Sequence, residues 1–196
     1  DKFTAVKMYD KVQHYRAIEK QNVIKERNAA KTKEERDRLT AILDYMNKVE
    51  MAVIISEDAD ENEKFANQGL DIATHRAKMN YITPDGKDIE DRFKDVSDPL
   101  QLVFVCAMWL TGFDVPNLST LYLDKPMKGH TLMQAIARAN RVYADKSSGM
   151  VVDYVNVFKY MKKALSEYAT GDDGTEYPAK DIDKLIGYID ATIDEA

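Results

Sequence analysis

Two segments hold residue types at spacings that could do chemistry. Between Thr131 and Tyr143, the residues Gln134, Arg138 and Arg141 recur at i, i+4 and i+7, so one helix would carry them as a polar stripe. Leu132, Ala135, Ile136, Ala139 and Val142 form an apolar stripe on the same helix. Seated by its apolar face, it could present two guanidiniums at a fixed separation. That suits phosphate oxygens whose charge grows during phosphoryl transfer, and lysine lacks the planar fork that makes arginine fit. A plainer reading stays open: helical arginines are commonly solvated or paired with surface carboxylates, and Thr131-x-x-Gln134 has the form of a capping box. The second segment is Thr111-Gly112-Phe113-Asp114-Val115-Pro116, where glycine permits a sharp turn near a ligand and a carboxylate follows. By itself it also reads as a strand-to-loop turn with a solvated aspartate.

The elements that must position these residues follow from composition and pattern. In 196 residues, 44% hydrophobic and 32% charged side chains are enough for one folded core with an appendage. A net charge of −6 excludes an overall basic field, so any contact with nucleic acid has to be local. No apolar run is long enough to span a bilayer and no signal peptide is visible, so a cytoplasmic location without membrane partners is expected. The single cysteine, Cys106, excludes an internal disulfide and is expected to be a buried strand thiol. Because the chain opens on Asp1 and not on methionine, it is expected to be a fragment.

Four short apolar runs carry the strand signal: residues 51–55, 102–106, 120–123 and 150–155. They do not alternate with polar residues and are separated by helix-like segments, which predicts an α/β fold, mostly parallel, with helices on both faces of the sheet. Phe3, Val6, Tyr9 and Val12 predict a first amphipathic helix reaching toward Ile18. The polar stretch 21–33 is expected to be an exposed extension, and Thr32 with Glu35 starts a second helix bearing Leu39, Ile42, Leu43 and Met46. Residues 20–48 together are expected to be a helical insertion. An acidic helix over 57–68, a turn at 83–86 and a short helix at 89–93 are expected next. Further helices are expected over 157–168 and 180–193, with a break at 171–174.

Thr111 to Pro116, Leu121-Tyr122-Leu123-Asp124-Lys125-Pro126, the run Gln134 to Tyr143, and Gly149 to Tyr154 stand together in an order and spacing that resembles the motor subunits of type I restriction enzymes. The resemblance covers roughly residues 89 to 170, more weakly upstream. It implies a second RecA-like lobe of a superfamily 2 helicase over 1–170, with a linker and the start of a C-terminal helical region over 171–196. The family also has a strand before the first helix, which this chain would lack. In this resemblance Thr111 to Asp114 is motif V and Gln134 to Arg141 is motif VI. Arg141 is then the arginine finger reaching the γ-phosphate of ATP held on the other lobe, and Arg138 a second phosphate or interlobe contact. Gln134 orients the helix or nucleotide. Asp114 lies near the ribose or tethers a motif VI arginine. Gly112 relays the nucleotide state, and Thr111, with Lys125 and Lys128, faces the DNA backbone.

The implied partners are double-stranded DNA, the first RecA-like lobe of the same polypeptide, and modification and specificity subunits. ATP and Mg2+ would be bound mainly by the other lobe. The chain has no Gly-x-x-x-x-Gly-Lys-Ser/Thr loop, no acidic magnesium motif and no nuclease carboxylate cluster, so it is expected to hold no metal and to be inactive alone. Two alternatives are a non-catalytic α/β interaction module and the second lobe of another superfamily 2 DNA helicase.

Overall fold

The computed structural model describes residues 1–106, 108–109, 113–127, 129–144 and 146–157, with the backbone alone at 129 and 130. The chain divides into two compact units, residues 1–109 and 110–196. The helices expected over 157–168 and 180–193, and the break at 171–174, lie outside the described residues.

The first unit opens with α1, Lys2–Ala29, whose start is capped by Asp1, its carboxylate accepting from the Thr4 amide at 2.7 Å. At 28 residues α1 runs well past Ile18, and it contributes to two cores. Its first turns bury Ala5 and Val6 with Val53, Ile55, Phe65 and Ile72. Its last turns bury Val23, with Ala30 just beyond, against Leu39 and Leu43 of α2, Lys33–Lys48. The stretch expected to be an exposed extension is therefore one arm of a helical hairpin. It carries few apolar residues, but Val23 and Ile24 are placed where the α2 stripe can cover them. Thr32 caps α2 through the Glu35 amide at 3.2 Å. Arg16, half-buried on α1, donates to the carbonyls of Met46 and Val49 at the other end of α2, where a cation meets the negative pole of the helix.

Two strands follow the hairpin: β1, Glu50–Ile54, pairs in parallel with β2, Leu100–Val105. Residues 51 to 54 are all 2% exposed or less, so β1 is covered on both faces as the unbroken apolar run predicts. Strand β2 is only partly covered beyond Leu100, and Cys106, expected to be a buried strand thiol, lies half-buried just past its end. Between the strands run α3 (Glu61–Ala66), α4 (Ile72–Met79) and α5 (Ile89–Lys94). The 83–86 turn forms, with the Gly86 amide donating to the Thr83 carbonyl at 2.9 Å. Lys87 beside it is paired with Asp95 at 2.9 Å. Trp109 stacks on Phe93 of α5, with ring centroids 5.7 Å apart.

Two arginines tie these loops to the sheet. Arg92, 8% exposed, grips both oxygens of Asp98 at 3.0 and 3.1 Å and also reaches Glu50 at 3.1 Å. Arg76 grips Glu61 at 2.7 and 2.9 Å and donates to the Ile55 carbonyl at 3.0 Å. Bidentate, desolvated pairs of this kind are costly to break, because the survivor is left as an uncompensated buried charge.

In the second unit β3 (Thr120–Leu123) pairs in parallel with β4 (Met150–Asp153), and α6 (Gly129–Ala139) connects them. Leu123, Met127, Leu132, Ala135 and Val157 form its core, with Leu121, Val151 and Ile136 packed against them. Tyr122 points the other way and stacks on Tyr154, both exposed. Double coverage therefore does not extend to β3 and β4. The structure is thus α/β, with parallel pairing in both small sheets. No described helix is long and apolar enough to cross a membrane.

Burial is the largest single influence on Asp98 and works against its charge, but the Arg92 hydrogen bond, the Leu100 amide and the Arg92 charge together outweigh it and hold the carboxyl below its ordinary 3.8. Arg76 likewise holds Glu61 below 4.5. Folded values below unfolded ones mean that this stability is complete above the unfolded values and is lost as pH falls through the folded ones. Chemical denaturation should show a constant midpoint at pH 6 to 7 and a steady decline once pH drops below about 4.5. Asp98→Ala should cost about 3 kcal/mol at pH 7. A midpoint insensitive to both changes would contradict the buried network.

Candidate functional site

Helix α6 begins at Gly129, two residues before Thr131, so Thr131 is internal and cannot cap the helix. Gln134 accordingly lies half-buried in mid-helix, and the capping-box reading does not apply to it. Leu132, Ala135 and Ala139 are each no more than 1% exposed, as the apolar stripe predicts.

The other end of α6 departs from expectation. The helix stops at Ala139, so Arg138 and Arg141 are not displayed from a single helix, and Val142 is 76% exposed instead of completing the stripe. The physical reason is a diverted carbonyl. Continuing the helix would require the Tyr143 amide to bond the Ala139 carbonyl. Instead that amide donates to the Lys146 carbonyl at 3.1 Å, and the Lys146 ammonium takes the Ala139 oxygen at 2.9 Å. Gly149 seals the junction: a Cβ there would collide with the Ala139 carbonyl, so only glycine allows β4 to start so close to the helix end.

Released from the helix, Arg141 donates from Nη1 to Oδ1 of Asp114 at 2.5 Å. The contact spans 27 residues of sequence and joins the two segments singled out by their chemistry. Asp114 is fixed by its neighbours, since Phe113 and Val115 are 8% and 4% exposed and turn the intervening carboxylate outward. The side chains of the pair are 49% and 59% exposed. In water such a pair is weak and exchangeable. The arrangement thus offers a guanidinium at a defined place, paired with one carboxylate and half exposed, so that a stronger anion can reach it.

The remaining expected site residues fall in different places. Arg138 lies half-buried in the last turn of α6. Lys125 is exposed in the bend after β3, at the carboxyl end of a parallel strand. Thr111, Gly112 and Lys128 lie outside the described residues. Pattern reading missed Lys146 and Gly149. A glycine directly before a strand is the signal that marks a close backbone approach, while nothing local marks the lysine.

A cavity of about 710 Å³ opens in the first unit after the carboxyl end of β1, lined by Asp58, Asp60, Glu61, Glu63 and Arg76 among others. Its one guanidinium is already committed to Glu61, so it repels phosphate. Among the described residues no group of three or more histidine, cysteine or acidic side chains could hold a metal ion.

Residues 2–156 match the family model described as type I restriction enzyme subunit R domain 3. The chain is 50% identical over 112 residues to the HindI endonuclease subunit of Haemophilus influenzae, which covers 56% of this chain and 10% of that protein. It is 51% identical over 87 residues to a type I restriction enzyme endonuclease subunit, MjaIXP, of Methanocaldococcus jannaschii, covering 43% and 8% respectively. It is 32% identical over 130 residues to the SauCOLORF180P endonuclease subunit of Staphylococcus aureus, covering 66% and 13%. The chain thus spans about a tenth of the length of these relatives.

The geometry separates two kinds of substitution. Asp114→Ala should lower stability by less than about 1 kcal/mol, because the pair is exposed. Gly149→Ala should cost about 1 to 3 kcal/mol, because a backbone carbonyl must move. Denaturant titrations of both variants check this, and a reversed order would refute the stated packing of the α6 end.

Proposed function

Because the chain belongs to the type I restriction enzyme subunit R domain 3 family, we propose that it is the RecA-like second lobe of an ATP-driven motor that translocates double-stranded DNA. One observation carries the reading: an exposed guanidinium, Arg141, is held at the end of α6 by the single carboxylate of Asp114. The parallel α/β architecture and the succession of motifs V and VI support it. Residues 1–170 form the lobe in this reading, and 171–196 lead into a C-terminal helical region.

Arg141 is the arginine finger, exchanging one bond to a carboxylate for bonds to a nucleotide's terminal phosphate held by the first lobe of the same polypeptide. A phosphate oxygen carrying more negative charge is the better acceptor, so the exchange is favourable where the exposed pair is weak. Asp114 keeps the finger at its post when no phosphate is present. Arg138, in the last turn of α6, makes a second phosphate or interlobe contact, and Gln134 orients the helix. ATP, when bound, supplies the phosphoryl group whose transfer to water drives the motor, and Mg2+ belongs with the lobe that binds it. Lys125 and Lys128, with Thr111, meet the DNA backbone, and Gly112 gives the backbone room to respond to the nucleotide. Phosphate contacts suit a motor because they carry no sequence preference. The full subunit would work beside modification and specificity subunits as an endonuclease, and this chain alone would not turn over ATP.

Arg141→Ala in the full-length subunit should reduce DNA-stimulated ATP hydrolysis by about a thousandfold, with assembly intact. Normal turnover in that variant would eliminate the finger and favour a non-catalytic interaction module. For the DNA track, Lys125→Ala should weaken binding equally for all sequences. It should also lower the dependence of log K on log salt by about one unit, and an unchanged slope would remove Lys125 from the track.

A further inference from the structure

Lys146 is half-buried, and among the described residues its ammonium donates to two backbone carbonyls, Leu118 at 2.7 Å and Ala139 at 2.9 Å, and to no carboxylate. The two carbonyls belong to different segments. Leu118 lies four residues after Asp114, and Ala139 lies two residues before Arg141. The lysine therefore bridges the stretch that carries the carboxylate to the stretch that carries the guanidinium. Its own position is fixed by a tight turn in which Tyr143 and Lys146 exchange backbone hydrogen bonds at 3.1 and 2.8 Å. That turn holds Ala144 at φ 47°, a left-handed conformation that a residue with a Cβ adopts only under constraint. Burial also pulls the Lys146 pKa down, as expected for a cation taken partly out of water. A positive charge at the last carbonyls of a helix is favourable, and here the same group also reaches the loop before β3.

The geometry points to Lys146 as the positioning residue of the Arg141–Asp114 pair: it sets the separation of the two segments, and hence where the finger stands, without touching the nucleotide. This rests on the assignment of Arg141 as the finger. A finger displaced by about 1 Å loses rate steeply, on the order of ten- to a hundredfold, while affinity for the ground-state nucleotide changes little. A lysine that served only to stabilise the fold would show a different pattern, because its loss would add to that of any other site.

The test uses the full-length subunit in its holoenzyme and follows DNA-stimulated ATP hydrolysis. Lys146→Met should lower kcat by about ten- to a hundredfold with KM for ATP nearly unchanged, and Lys146→Arg, which keeps donors for both carbonyls, should recover part of it. In an Arg141→Lys background, Lys146→Met should add little further loss, because the group it positions is already replaced. If the methionine variant does not assemble, Lys146→Gln, which retains one amide donor contact, carries the same comparison. Wild-type kcat in the variant that assembles, or a loss fully additive with Arg141→Lys, overturns the inference. If Arg141→Ala itself turns over normally, the finger assignment fails first; if it is inactive while Lys146→Met is normal, only the role of Lys146 falls.

Discussion

The second unit depends on how one carbonyl, that of Ala139, is satisfied. A helix end leaves its last carbonyls without intrahelical donors, and each must find a partner or face water. Here the partner is an ammonium seven residues on, and Gly149 lets the next strand begin against the same group. Both features stop α6 where it stops. They place Arg141 two residues beyond the helix, free of its axis but anchored by an end that cannot extend. The Asp114 contact follows from that geometry. A helix one turn longer would carry the guanidinium on around the cylinder and break the pairing.

Arginine is used in two ways along the chain, and magnitudes separate them. Arg76 and Arg92 are largely buried and grip carboxylates with two donors each, at a cost of several kcal/mol to disrupt. They are committed to holding loops onto β1 and β2. Arg141 is half exposed and held by the Asp114 carboxylate through its Nη1 donor, worth a fraction of that. The contrast sets the acidic cavity after β1, whose guanidinium is already neutralised by Glu61, apart from the α6 end, where we propose that a phosphate is met. That proposal places a local anion site on a chain of net charge −6.

Much of this was legible in the residues. Thr120 to Leu123 is a strand with the expected bounds, and the runs at 51–55, 102–106 and 150–155 are strands shifted by no more than two residues at either end. The parallel pairing followed from their unbroken apolar character. The cap at Thr32 and the α2 stripe were also readable, because both are local. Three features were hidden because they depend on distant partners. The polar half of α1 is a core element only because α2 folds back over Val23. The end of α6 cannot be seen in a periodicity that continues through Val142, since the competing acceptor and donor both come from the 143–146 turn. Lys146 bears no local mark, as its two carbonyls lie 7 and 28 residues away. The resemblance of Asp114 and Arg141 to motifs V and VI allowed a tether between them, and the structure joins the two side chains.

The most direct test is a structure of the full-length subunit bound to DNA and a non-hydrolysable ATP analogue. The account predicts the Arg141 guanidinium within about 3 Å of a terminal phosphate oxygen, with Lys146 still on the Leu118 and Ala139 carbonyls. A nucleotide whose terminal phosphate is met by some other cation, while Arg141 stays on Asp114 facing solvent, would contradict it.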